Sequence, residues 1–206
     1  MRSLINRFYP IVDSAKQFEI LGQLSVPMAQ LRIKNHKDDA QLRLEVEQAV
    51  QYSKKYNILL ILNDFWQIAM ECGVDFIHLG QEDLQTADIK ALRARHIRIG
   101  VSTHDHAELE NALSIDPDYV ALGPIYPTTS KVMRFGPQGL DRIREWKAKI
   151  GKKPLVAIGG LNLERAVACL QAGADSVSVI SNILTEGQID KESVKLWLKT
   201  TQQIAK

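Results

Sequence analysis

The chain has 206 residues, with 26 lysines and arginines against 24 aspartates and glutamates, so its formal charge is only +2. That balance gives no electrostatic case for a nucleic-acid or anionic-membrane partner. With 45% hydrophobic and 24% charged residues the composition is globular, which excludes a disordered chain.

At this length one core can bury roughly 70% of the unfolded surface, so residues 1–206 are expected to form a single domain. The opening MRSLINRFYP lacks the apolar centre of a signal peptide, and the longest apolar run, Ile58 to Leu62, is far short of the roughly 18 residues that span a bilayer. Cys72 and Cys169 stand alone in helical patterns, outside any metal or redox spacing. They read as buried thiols of a reducing compartment, and the expected location is the cytoplasm. Oligomeric state is left open.

In chain order, short β-branched or apolar runs alternate with stretches of helical period. Predicted strands are Phe8 to Val12, Pro27 to Leu31, Ile58 to Leu62, Phe76 to Leu79, Ile97 to Val101, Tyr119 to Leu122, Leu155 to Ile158 and Ser176 to Ile180. Predicted helices are Ala15 to Leu24, Asp38 to Tyr56, Phe65 to Cys72, Thr86 to Arg95, His106 to Leu113, Leu140 to Ile150, Leu163 to Ala172 and Lys191 to Ile204. A repeat marks several junctions. Cys72-Gly73-Val74-Asp75 and Ala172-Gly173-Ala174-Asp175 each end a helix on glycine and place an aspartate before a buried strand; Ile115-Asp116-Pro117-Asp118 is a third copy, with proline read as the stop. Eight units in 206 residues leave roughly 26 residues each, close to the minimum for a strand, a helix and two connections. The expected fold is an α/β protein, a closed (β/α)8 TIM barrel.

In such a barrel the chemistry sits where the strands end. After the second strand, Gln30, Arg32 and Lys34 alternate with Ala29, Leu31 and Ile33, so period two sends the three polar side chains toward the barrel mouth and Ile33 toward the helices. The third and fourth strands end in Asn63-Asp64 and Gly80-Gln81-Glu82-Asp83. Each aspartate alone reads as a helix cap. Two carboxylates opposite a basic cluster also suit Mg²⁺, which binds through one or two carboxylates plus phosphates. The fifth strand leads to Ser102. His104 and His106 read as capping or surface residues rather than zinc ligands, and His78, within an apolar strand, as a hydrogen-bonded core histidine. Gly159-Gly160 and Ile180-Ser181 follow strands seven and eight, a frequent phosphate site in these barrels. The irregular stretch Gly123 to Gly139, rich in proline and glycine, reads as a functional loop, a lid.

The segments AQLRIKNHKD, LILNDFW, GVDFIHLGQEDL, IGVSTH, YVALGPIYPTTSK, PQGL, VAIGGLN and GADSVSVIS, from residue 29 to 181, together resemble the thiamine-phosphate synthase (thiamine-phosphate pyrophosphorylase) family. The resemblance implies a transferase of thiamine biosynthesis. It would join a hydroxymethylpyrimidine diphosphate to a thiazole phosphate, or its carboxylated form, and release pyrophosphate. Gln30, Arg32, Lys34, Asn63, Ser102 and Lys131 would hold the pyrimidine diphosphate, with Lys131, Ser102 and Arg32 closest to the chemistry. Asp64 and Asp83 would hold Mg²⁺. Thr128, Thr129 and Ser130 would meet the thiazole, with Gly160, Ile180 and Ser181 at its phosphate. The family commonly carries Glu where Ile33 stands. A thiazole tautomerase and a non-catalytic phosphate sensor on the same fold remain alternatives, the first opposed by Asp64, Asp83, Lys34 and Lys131.

Overall fold

The computed structural model describes residues 5–128 and 135–204. Eight parallel strands close into a barrel: β1 (Phe8–Val12), β2 (Met28–Leu31), β3 (Leu59–Asn63), β4 (Phe76–Leu79), β5 (Arg98–Thr103), β6 (Tyr119–Leu122), β7 (Leu155–Ile158) and β8 (Ser176–Val179). Closure is made by β1 against β8, with Phe8 opposite Val177 and Pro10 opposite Val179. The expected barrel is the observed one, and four strands match their predicted bounds residue for residue.

Helices α1 (Ala15–Gln23), α2 (Asp39–Tyr56), α3 (Trp66–Cys72), α4 (Gln81–Thr86), α5 (Ile89–Ala94), α6 (His106–Ser114), α7 (Gly139–Ile150), α8 (Leu163–Gln171) and α9 (Lys191–Gln203) surround the strands. Short polar side chains start many of them. Asp105 Oδ1 accepts from the Glu108 amide at 2.9 Å, and Asn162 Oδ1 accepts from the Arg165 amide at 2.9 Å. Where one helix was expected over Thr86 to Arg95, two short ones form, parted at Ala87-Asp88, because Asp88 caps α5. A two-stranded hairpin, β9 (Leu184–Thr185) with β10 (Gln188–Ile189), was not expected; it joins β8 to α9. In the third copy of the junction repeat the left-handed stop is Asp116, at φ 49°, not the proline. No helix among the described residues is long and apolar enough to cross a membrane.

Because the strands are covered on both faces, there are two cores. The outer one joins strands to helices, with Trp146, Trp197 and Phe18 fully buried. The inner one fills the barrel with Met28, Ile61, Phe76, Tyr119, Ala121 and Val156, with Ile5 also in it. Tyr119 occupies the space of a missing side chain: a Cβ on Gly100 would lie 2.1 Å from its ring, so only glycine fits there. Cys169 is buried and its thiol is pushed up to about 12 by desolvation, whereas Cys72 is only partly buried, a departure from the expectation.

Candidate active site

The carboxyl ends of the strands open into a cavity of about 1000 Å³. It is lined from the second strand by Gln30 and by Arg32, from the third by Asn63 and Asp64, and from the fifth by Ser102. Thr128, Gly160, Ile180 and Ser181 line the opposite side. Lys34 does not line it. β2 ends at Leu31, so the alternation carries Arg32 into the cavity but not the exposed Lys34 two residues later. Ile33 is 7% exposed and packs in the outer apolar layer, as its alternation predicts. Thr129, Ser130 and Lys131 lie outside the described residues.

Asp64 and Asp83 do not act as caps. Asp64 has φ 65° and precedes Phe65, the cap position of α3, which makes no side-chain cap bond, and Asp83 lies within the first turn of α4, whose cap position is Gly80. The Asp64 carboxylate lies against that of Asp83. Burial and the neighbouring Asp83 carboxylate push Asp64 up to about 6, against the opposing pull of Arg32 and of the Asn63 amide. Asn63 Nδ2 donates to Asp64 Oδ2. Two carboxylates in contact, in a partly dry site, need either a shared proton or a cation. This donor set fits Mg²⁺, which is satisfied by one or two carboxylates when phosphate oxygens and waters complete its shell.

The β5 end is braced. Gln81 Nε2 donates to the Ser102 carbonyl at 2.8 Å, and Gln81 Oε1 accepts from Asn111 at 2.8 Å. His104 Nδ1 and backbone amide both meet Glu108, at 2.6 and 2.9 Å, at the start of α6, whereas His106 Nε2 pairs with Glu145 of α7. Phe135 stacks flat on the His104 ring with centroids 4.9 Å apart.

On the far side, Gly159 and Gly160 are needed for packing. A Cβ on Gly160, at φ 65°, would lie 2.3 Å from the Pro127 carbonyl oxygen, and one on Gly159 would lie 2.6 Å from Pro124. The segment after β6 thus rests on the segment after β7, tied by the Ile125 amide to the Ile158 carbonyl at 2.9 Å and the Tyr126 amide to the Gly159 carbonyl at 3.1 Å. The far foot of the same loop is fixed by the Gly139 amide on the Ile125 carbonyl at 3.0 Å. The sequence reading assigned these glycines to anion approach alone; the close loop contact supplies a second reason for them.

Among the cavity residues that the sequence did not mark, two bear on its electrostatics and hydrogen bonding. Arg165, whose Nη1 donates to the Gly160 carbonyl at 2.7 Å and whose guanidinium lies over the Tyr126 ring, adds a cation on the side of Ile180 and Ser181. Its signal was its place in the first turn of the helix after Gly-Gly. Ser178 on β8 also lines the cavity, with a buried hydroxyl that has no hydrogen-bond partner among the described residues. Within the alternating Ser-Val-Ser-Val run it reads as ordinary core.

A family model described as thiamine monophosphate synthase matches residues 8–183 of the chain. The thiamine-phosphate synthase of Rhizobium etli is 46% identical over 197 residues, covering 96% of each chain. That of Citrobacter koseri is 43% identical over 175 residues, covering 85% of this chain and 82% of its own. Among solved structures, the thiamine phosphate pyrophosphorylase of Pyrococcus furiosus superposes with a TM-score of 0.78 at 25% identity, covering 96% of each chain.

Proposed function

The chain belongs to the thiamine monophosphate synthase family, and from that premise we propose that it makes thiamine phosphate from a 4-amino-5-hydroxymethylpyrimidine diphosphate and a thiazole phosphate. The observation that carries this reading is the meeting of Asp64 and Asp83, from neighbouring strand ends, beside Arg32 in the cavity. A thiazole isomerisation, with no diphosphate to handle, would have no use for that pair.

In the reaction the bond between the pyrimidine methylene carbon and the diphosphate oxygen breaks, and both electrons leave with pyrophosphate. The thiazole nitrogen then forms the new C–N bond with its own lone pair. No protein nucleophile or general base is required. Mg²⁺, held by Asp64 and Asp83, would offset the charge that grows on the leaving pyrophosphate. Arg32 bears on the same charge from the β2 end, and by the family resemblance Lys131 does too. Gln30, Asn63 and Ser102 are assigned to the pyrimidine. Thr128, with Thr129 and Ser130 by resemblance, is assigned to the thiazole, and Gly160, Ile180 and Ser181 to its phosphate, where Arg165 supplies a nearby positive charge. The two free thiols fit a reducing, cytoplasmic setting.

Pyrophosphate release tests the reading. It should require both organic substrates and a divalent cation together, and it should stop when any one is withheld. Isomerisation of the thiazole phosphate with no pyrophosphate formed would overturn it in favour of a tautomerase. Binding of one phosphate ligand without turnover would do so in favour of a sensor. Within the assignment, Lys131→Ala should lower kcat about a hundredfold with little change in Tm, since the charge it offsets develops only as the C–O bond breaks.

A further inference from the structure

The interior of a (β/α)8 barrel is ordinarily closed by layers of branched apolar side chains. Here a line of polar groups crosses it. Gln30 Nε2 donates to the Tyr9 hydroxyl at 2.8 Å, and the Tyr9 and Tyr119 hydroxyls are 2.9 Å apart. The Tyr119 hydroxyl meets His78 Nδ1 at 2.6 Å, and His78 Nε2 meets Ser102 Oγ at 2.7 Å. Five side chains from β2, β1, β6, β4 and β5 are thus joined, and both ends of the line, Gln30 and Ser102, face the cavity. Tyr119 is fully buried, and Gly100 leaves the room its ring requires.

The direction of the line follows from its first bond. A hydroxyl has one proton to give. With the Gln30 amide donating, the Tyr9 proton goes to Tyr119 and the Tyr119 proton goes to His78 Nδ1. The imidazole then carries its proton on Nε2 and donates to Ser102. What is left for a ligand is the Gln30 carbonyl oxygen at one end and the Ser102 hydroxyl proton at the other. If the Gln30 amide were turned over, every bond would reverse, and the ends would offer an N–H and a lone pair instead. The ends are therefore of opposite kinds, and they change only together. Burial holds both phenols well above their ordinary pKa, so neither can break the line by ionising.

Resting on the synthase reading above, we propose that this line is a specificity device. It fixes an acceptor at Gln30 and a donor at Ser102, and so selects a ring that carries an amino group and an unprotonated ring nitrogen over its oxo counterpart. Tyr9, Tyr119 and His78 are positioning residues: they act through Gln30 and Ser102. A buried polar line of this kind is maintained only if every member is satisfied, so loss of one hydroxyl releases both ends.

Two measurements test this. The first is equilibrium binding, without thiazole phosphate, of the aminopyrimidine diphosphate and of its 4-oxo analogue to the wild type, Tyr119→Phe and Tyr9→Phe. The wild type should prefer the amino form by about a hundredfold or more, because the oxo form leaves site groups unpaired. Both variants should reduce that preference below about tenfold by weakening the amino form, while Mg²⁺-pyrophosphate binds as before. The same preference in variants and wild type would overturn the line while leaving the synthase reading intact. A parallel loss of pyrophosphate affinity would also overturn it, since the effect would then be general damage. Failure of the wild type to bind either pyrimidine would overturn the synthase reading and this proposal with it. The second is the nitrogen NMR spectrum of His78, which needs no ligand. It should show the proton on Nε2 in the wild type and a mixture of tautomers in Tyr119→Phe. A wild-type proton on Nδ1 would reverse the line and contradict the assigned polarity.

Discussion

The two ends of the barrel use the same residue type in opposite ways. At the amino end, the aspartates of the junction repeat are each given a positive partner. Asp118 Oδ2 accepts from the Ile99 amide at 2.8 Å and from Arg93 at 2.6 Å, and Asp175 Oδ2 accepts from the Leu155 amide at 3.0 Å and from Lys147 at 2.6 Å. Asp75 pairs with Arg98 at 3.0 Å. Asp118 and Asp175 each hold the start of the preceding strand and the helix that leads into it, and Asp75 holds the start of the following strand. At the carboxyl end, Asp64 and Asp83 are given each other, and Asp64 is raised to about 6 in consequence. A carboxylate whose partner is in the fold stabilises the fold. One whose partner is another carboxylate stores an unfavourable interaction that a cation can relieve. The comparison separates residues that hold the barrel from residues that await a ligand.

The largest expected effect is at the ligand end. Asp83→Asn should lower kcat for pyrophosphate release by about a hundredfold or more, with Tm unchanged or raised, because it removes one of two carboxylates that repel each other. A variant with full activity in excess chelator would show that the carboxylates serve no cation. Next is Ile33→Glu. Its side chain would enter the outer apolar layer at a 7% exposed position, and the cost should be about 3 kcal/mol in urea unfolding, with kcat/KM within about tenfold. Unchanged stability with altered activity would move position 33 to the substrate side. At the opposite end, Asp175→Ala should cost about 2 kcal/mol by leaving the Leu155 amide without its acceptor and Lys147 without its carboxylate partner, and kcat should stay near wild type. A kcat effect as large as that of Asp83→Asn would erase the distinction between the two ends.

The smallest effect is a pH dependence. Since the fold raises the Asp64 pKa above its unfolded value, the folded metal-free protein holds the proton more tightly. Stability from this group is complete below about 4 and is lost as pH rises through about 6. Asp64→Asn should flatten that fall and raise the metal-free Tm above pH 6 by several degrees. Asparagine also tolerates the left-handed backbone at this position. A wild-type Tm that climbs between pH 4 and 7 for a reason traced to Asp64 would reverse the sign of the argument.

Much of this was legible in the sequence. β1, β4, β6 and β7 stand where apolar runs meet turn residues; alternation alone would also suit an open doubly wound sheet, and the count of eight units favoured the barrel and placed Asp64 and Asp83 near adjacent strand ends. Other features depend on distant partners. The extent of β2 is set by its pairing with β1 and β3, so Lys34 fell outside the alternation that was extended to it. α4 contains a single buried apolar residue, Leu84, and gave no helical period to detect. The need for Gly160 comes from the backbone of residues 126 and 127, more than thirty positions away. The line from Gln30 to Ser102 was hidden for the same reason: Tyr9, His78 and Tyr119 each lie in an apolar strand and read singly as core, and only closure of the barrel joins them.

The division between the two ends is tested most directly by the affinity of pyrophosphate with and without Mg²⁺, measured by calorimetry on the wild type, Asp83→Asn and Asp118→Asn. The account predicts that Mg²⁺ tightens pyrophosphate binding about a hundredfold in the wild type and in Asp118→Asn, and that Asp83→Asn loses this gain. An equal gain in wild type and Asp83→Asn, or its loss in Asp118→Asn without a loss of folded protein, would contradict it.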